Sequence, residues 1–251
     1  MIIRLFDTRE ELDQYAAGLF VELLSVKPDA VLGLATGSTP IGIYEKIVDS
    51  YNKGQVTFKD ATTYNLDEYV GLPRENEQSY AYFMNHHLFR HIDIPAERTY
   101  LPNGLAADPA AECARYDGML LSRQVDIQLL GLGHNGHIGF NEPDRELHAG
   151  THIVDLQKET LEANARFFAS MDDVPKQAIT MGVGSILKAK TILLVVKGAD
   201  KAEIVKRALQ GPITTEVPAS LLQTHANVIV LLDQEAGRLL HDVQIPSMAN
   251  R

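Results

Sequence analysis

Apolar positions along this chain alternate between two rhythms. Short, nearly continuous runs, "MIIRLF", "AVLGLA", "TTYNL", "VDIQLLGLG", "AITMGV", "TILLVVKG" and "NVIVLLD", have the length and composition of buried strands. Between them the apolar residues fall at helical spacing. In "DTREELDQYAAGLFVELL", Thr8 and Glu11 form a capping-box pattern, and Leu12, Tyr15, Ala16, Leu19, Phe20 and Leu23 recur on one face. "IGIYEKIVDSYNKG" reads as a helix that ends near Gly54. "SYAYFMNHHLFRHI", "KETLEANARFFA" and "ADKAEIVKRALQG" carry the same period. Apolar strands separated by helices predict an α/β fold, a doubly wound, mostly parallel sheet with helices on both faces, Rossmann-like in plan. No linker, repeat or low-complexity tract interrupts the pattern, so residues 1–251 read as a single domain.

In such sheets ligands bind where strand carboxyl ends lead into loops. "TGSTP" follows "AVLGLA", "DEYVGL" follows "TTYNL", "GLGHNGHIGFNEP" follows "VDIQLL", and "GADK" follows "TILLVV". Four polar loops are therefore expected to converge on one crevice.

Composition narrows what that crevice could hold. The 251 residues are 45% apolar, enough for a substantial core, and their formal net charge is −10. With no run of basic residues, the chain is not expected to bind nucleic acid. An anionic small molecule stays open, because a few local cations outweigh a field screened beyond about 10 Å. The single cysteine, Cys113, excludes an internal disulfide and fits a reducing compartment. The acidic N-terminal stretch lacks a signal-peptide core, and no apolar run reaches the roughly 20 residues that span a bilayer, so a cytoplasmic protein with no membrane partner is expected.

Individually, the loops offer alternatives. Thr36, Gly37, Ser38 and Thr39 precede Pro40 at a helix start, where small residues let backbone amides approach an anion. An ordinary Ser/Thr cap fits the same letters. Lys201 stands in a first helical turn, where a cation is unusual unless it meets an anion, and Arg166 in "ANARFF" could add a bidentate contact or simply face solvent. Asp67 and Glu68 lie just past a strand end. One of them could be a general base with a pKa raised by the neighbouring Leu66, Tyr69 and Val70, or both could be solvated. His137 could shuttle a proton with Glu142 orienting it, or could cap a helix. His87 and His91, and His134 and His137, have spacings seen in metal sites, but Leu88 breaks the zinc-protease pattern and no metal is expected. The dinucleotide fingerprint and the G-x-S-x-G elbow are absent from the sequence.

Taken together, "LGLATGSTP", "YNLDEYVGL", "GLGHNGHIGFNEP" and "ARFFA...VPKQAITMGVGSIL" closely resemble the glucosamine-6-phosphate deaminases, in the same order and over nearly the whole chain. The resemblance implies conversion of glucosamine 6-phosphate and water into fructose 6-phosphate and ammonium, without metal or nicotinamide cofactor. It implies that Asp67 is the base that moves a proton between C2 and C1, that His137 assists ring opening and that Glu142 is its carboxylate partner. Thr36 to Thr39, Arg166 and Lys201 match the phosphate cradle. Asn135 stands where some members carry an aspartate; an amide orients an imidazole but does not stabilise its charged form as a carboxylate does.

A second departure concerns regulation. Allosteric hexameric relatives bind N-acetylglucosamine 6-phosphate through basic residues after the N-E-P motif, where this chain has His152 and Val154, with Arg145 nearby. The chain also ends soon after "LLHDVQIPSMANR". A monomer or small homo-oligomer is therefore expected rather than an activated hexamer. The glycine and charges of residues 144–157 would allow a lid over the crevice. Two rivals remain: a 6-phosphogluconolactonase, which has no need of a C2 base, and a non-catalytic sugar-phosphate sensor, for whose DNA-binding segment the chain has no spare length.

Overall fold

The structure is a computed structural model that describes residues 1–157, 161–162, 168, 170 and 174–241. Ten strands are described: β1 (Ile2–Phe6), β2 (Val31–Leu34), β3 (Thr62–Asn65), β4 (Asp67–Tyr69), β5 (Thr99–Tyr100), β6 (Ile127–Leu130), β7 (His152–Asp155), β8 (Gln177–Thr180), β9 (Thr191–Val196) and β10 (Val228–Asp233). Seven form one sheet in the order β1-β10-β9-β6-β2-β3-β5, and every neighbouring pair is parallel. Every residue of β2 and β6 is buried. Because successive side chains point to opposite faces, burial without interruption means that both faces are covered.

The longer helices are α1 (Arg9–Val26), α2 (Ile41–Asn52), α3 (Tyr80–His87), α4 (Pro109–Ser122) and α5 (Ala202–Gln210). The Thr8/Glu11 capping box is formed, each side chain bonding the other's backbone amide. Helix α2 stops two residues before Gly54, which takes φ +70°. Helix α3 is shorter than its sequence pattern: it ends at His87 and tightens into a 3₁₀ turn over Phe89–His91. Cys113 is buried in α4, as its apolar setting suggests. Most of "KETLEANARFFA" lies outside the described residues.

A second sheet departs from the all-in-one plan read from the sequence. Strands β4, β8 and β7 form a three-stranded antiparallel sheet, so "AITMGV" belongs here and not beside β9. The chain leaves the main sheet at Leu66, whose amide bonds the Leu34 carbonyl and whose carbonyl receives the Met181 amide. Asp67 then pairs with Thr180. One residue thus turns the chain from a buried parallel strand into a short strand laid across the sheet's carboxyl end. Strand β7 occupies part of the segment read as a possible lid, and its first turn is held down by Asp117 of α4, which accepts from the Thr151 amide and hydroxyl.

The strand order places a switch point between β2 and β6: from β2 the chain moves outward to β3, and later returns to β6 on the other side. The loops after those strands diverge there and leave a crevice.

Candidate active site

A cleft of about 430 Å³ opens at this switch point. Its lining draws on all four strand-end loops: Thr36, Gly37, Ser38 and Thr39 after β2, Asp67 in β4, Gly131 to Phe140 in part after β6, and Lys197, Asp200 and Lys201 after β9.

The loop after β2 enters α2 through Pro40, which stands at the N-cap and makes no side-chain capping bond. The plain Ser/Thr cap is therefore not what these residues form. Helix α2 is anchored from behind, where the buried Tyr44 hydroxyl donates to the Ala35 carbonyl at 2.6 Å. The amino end of this three-turn helix, with its positive dipole, faces the cleft beside the half-buried Lys201, whose Nζ donates to the Leu132 carbonyl at 2.8 Å. Arg166, the other cradle residue named by the sequence, lies outside the described residues.

The two adjacent carboxylates have separate fates. Glu68 accepts from three backbone amides, Tyr69, Tyr80 and Ala81, each at 2.9 Å, and so caps the start of α3. Burial pushes its carboxyl above the usual range while those amides pull it back. Asp67, 6% exposed, lines the cleft and accepts no hydrogen bond among the described residues. Burial, with the neighbouring Glu68 charge second, pushes its carboxyl up to about 8. Leu66 and Phe140, 3% and 5% exposed, supply apolar walls to the same cleft. The solvated-loop alternative is thereby corrected: Asp67 and Glu68 are buried strand residues, and of the two Asp67 lines the cleft.

His137 is one-fifth exposed, and its Nδ1 faces Glu142 Oε2 at 3.3 Å, with Glu142 almost fully buried behind it. It caps no helix. Asn135 does not reach the ring; its amide donates to the same Glu142 oxygen, while its carbonyl oxygen accepts from the His137 amide at 3.2 Å. Gly133 is explained by crowding. A Cβ on Gly133 would lie 2.4 Å from the imidazole of His137, so only glycine leaves the ring room to lie against the turn.

His134 turns away from His137 and bonds Asp200 at 2.6 Å. His87 packs against Phe83 with ring centroids 4.4 Å apart. Among the described residues, no group of three or more His, Cys, Asp or Glu side chains could hold a metal. Three cleft residues escape the sequence reading: Arg9, Tyr80 and Lys197. Tyr80 is half-buried, its ring packed against Tyr69 and Phe140 with centroids 4.8 and 6.1 Å away, and burial of the phenol, with the nearby Tyr69 and Asp67 charges, holds it well above its usual range. Lys197 was within reach of the strand-end rule, since it immediately follows β9. Arg9 and Tyr80 carried no local signal beyond helical spacing.

Residues 7–231 match the family model of glucosamine-6-phosphate isomerases and 6-phosphogluconolactonases. The chain belongs to this family. It is 52% identical to a glucosamine-6-phosphate deaminase of Clostridium perfringens over 232 residues, 92% of this chain and 96% of that one. A deaminase of the same name from Halothermothrix orenii is 48% identical, covering 96% of this chain and all of its own. Among solved structures, one described as a monomeric glucosamine-6-phosphate deaminase superposes with a TM-score of 0.93 at 47% identity, over 96% of this chain and 100% of that one. A 6-phosphogluconolactonase from Trypanosoma brucei superposes with a TM-score of 0.75 at 20% identity, over 96% of this chain and 98% of its own, which is a likeness of fold. No helix among the described residues is long and apolar enough to cross a membrane.

Proposed function

We propose that the chain isomerises and deaminates glucosamine 6-phosphate, releasing fructose 6-phosphate and ammonium. The observation that carries this reading is Asp67, a desolvated carboxylate facing a cleft whose other end is a helix amino terminus with a lysine beside it. Isomerisation needs a base beside the carbon next to a carbonyl, and lactone hydrolysis does not. The relatives near half identity carry the deaminase name, whereas the lactonase likeness extends to fold alone.

The 6-phosphate is held by the amides of Thr36 to Thr39 and by Lys201, with Arg166 as a further contact inferred from sequence. His137, its Nδ1 committed to Glu142, uses Nε2 to take the proton of the C1 hydroxyl while the ring oxygen gains one, and the ring opens to the aldehyde. Asn135 steadies the carboxylate of Glu142 in this step. Asp67 then removes the C2 proton; the C–H electron pair becomes the C1–C2 double bond and the C1 oxygen is protonated. Once the C2 ammonium has released a proton, its nitrogen lone pair forms the C=N bond as the proton held by Asp67 returns to C1; the resulting iminium adds water at C2 and expels ammonia, which takes up a proton to leave as ammonium. The substrate's own C2 ammonium, arriving beside Asp67, favours the ionised carboxylate that the step requires. Positioned proton transfer contributes about 10²- to 10⁴-fold, so anchorage of the phosphate supplies much of the rest.

The working form is proposed to be a cytoplasmic monomer without an allosteric activator or nucleic-acid partner. Incubating purified protein with glucosamine 6-phosphate should give ammonium and fructose 6-phosphate in equal amounts, with no hydrolysis of 6-phosphogluconolactone. Lactone hydrolysis without deamination would move the chain to the other branch of the family, and binding without turnover would make it a sensor.

A further inference from the structure

Lys197 stands immediately after β9, against the cleft, and three elements meet at its side chain. That side chain is 13% exposed; Nζ pairs with the Asp13 carboxylate of α1 and donates to the Thr39 carbonyl at 3.0 Å. Asp13 is itself buried, and it fits because residue 42, in the first turn of α2, has no side chain: a Cβ on Gly42 would lie 2.2 Å from Asp13 Oδ2. Well-packed apolar residues hold elements together as well as a buried ion pair does, often better, so packing alone does not account for this one. What the pair adds is direction. Thr39 ends the loop that faces the phosphate, and its peptide leads into Pro40, the N-cap of α2. A charged donor on the Thr39 carbonyl fixes how that last peptide is turned, and with it the loop's approach to the helix amino terminus. Asp13 holds the donor in place and balances its charge.

We propose that Lys197, paired with Asp13, is a positioning residue for the phosphate end of the substrate: it fixes the Thr36–Thr39 loop in the form that accepts a phosphate monoester. The inference rests on the deaminase reading for its substrate, but the loop can be tested without turnover, using inorganic phosphate as the probe.

Two variants separate positioning from mere support. Lys197→Met leaves a buried carboxylate beside the incoming phosphate. It should raise KM for glucosamine 6-phosphate, and the inhibition constant of inorganic phosphate with it, by about tenfold or more, the smaller share of the loss falling on kcat. The double variant Asp13→Asn/Lys197→Met removes the stranded charge, so it keeps the fold, yet it lacks the brace. Both constants should stay several-fold above those of the unaltered protein. Stabilisation of the protein against heat by inorganic phosphate should shrink in both variants, whether or not the unaltered protein turns over the sugar. Unchanged KM and unchanged phosphate inhibition in the folded double variant, with only melting temperature lowered, would overturn the proposal. Absence of deamination by the unaltered protein, with phosphate protection still lost in the variants, would sink the deaminase reading and leave the positioning role standing.

Discussion

Two neighbouring carboxylates, Asp67 and Glu68, differ in what their surroundings give them. Glu68 spends its charge on three backbone amides and holds α3, whereas Asp67 has apolar walls and an open cleft. The result is a base held at about 8 in place of an ordinary 3.8. A group so raised binds more protons in the folded chain than in the unfolded one between those values, so its contribution to stability is present below about 3.8 and is lost as pH rises through about 8. Asp67→Asn abolishes that loss. In calorimetry the variant should melt above the unaltered protein by several degrees at about pH 8.5, the gap narrowing toward pH 5. A variant melting no higher at the alkaline end would show that Asp67 is ionised at little cost in the fold. The role of Glu68 could not be read from its letters, because the amides it caps lie twelve and thirteen residues onward in the chain.

At the scale of elements, the phosphate loop and the His137 loop were legible because each follows a strand long enough to show its period. Strand β4 was not: three residues carry no rhythm, and its partner β8 lies more than 100 residues away in sequence. The sequence therefore put Asp67 at a strand mouth, near its true place, but in a loop. It identified Lys201 and passed over Lys197, four residues earlier, whose role depends on α1 and on the loop after β2. The turn over residues 131–137 is an element with one tolerance, since Gly133 and the imidazole share a space. Gly133→Ala should displace the ring and lower kcat by about tenfold or more while weakening inhibition by inorganic phosphate much less, because the phosphate end meets this turn only through the Leu132 carbonyl that Lys201 bonds. Equal losses at both ends would mean that the turn supports the whole cleft.

Across the whole molecule, the main sheet sets the crevice and the small sheet closes its side. Strand β7 carries His152 and Val154, where regulated relatives are expected to carry basic residues, and a neutral or weakly basic pair offers an acidic activator little purchase. Saturation by substrate should therefore be hyperbolic, unchanged by N-acetylglucosamine 6-phosphate, with the mass of a single chain in light scattering. A sigmoidal curve relieved by the acetylated sugar phosphate would contradict this. The central claim, that Asp67 is the base of a phosphate-anchored isomerisation, is tested most directly by ammonium release from glucosamine 6-phosphate, measured for the unaltered protein and for Asp67→Asn with phosphate inhibition determined in both. Turnover by the unaltered protein should fall by about 10²- to 10⁴-fold in the variant while phosphate inhibition persists. Undiminished release from a folded Asp67→Asn protein would contradict the account.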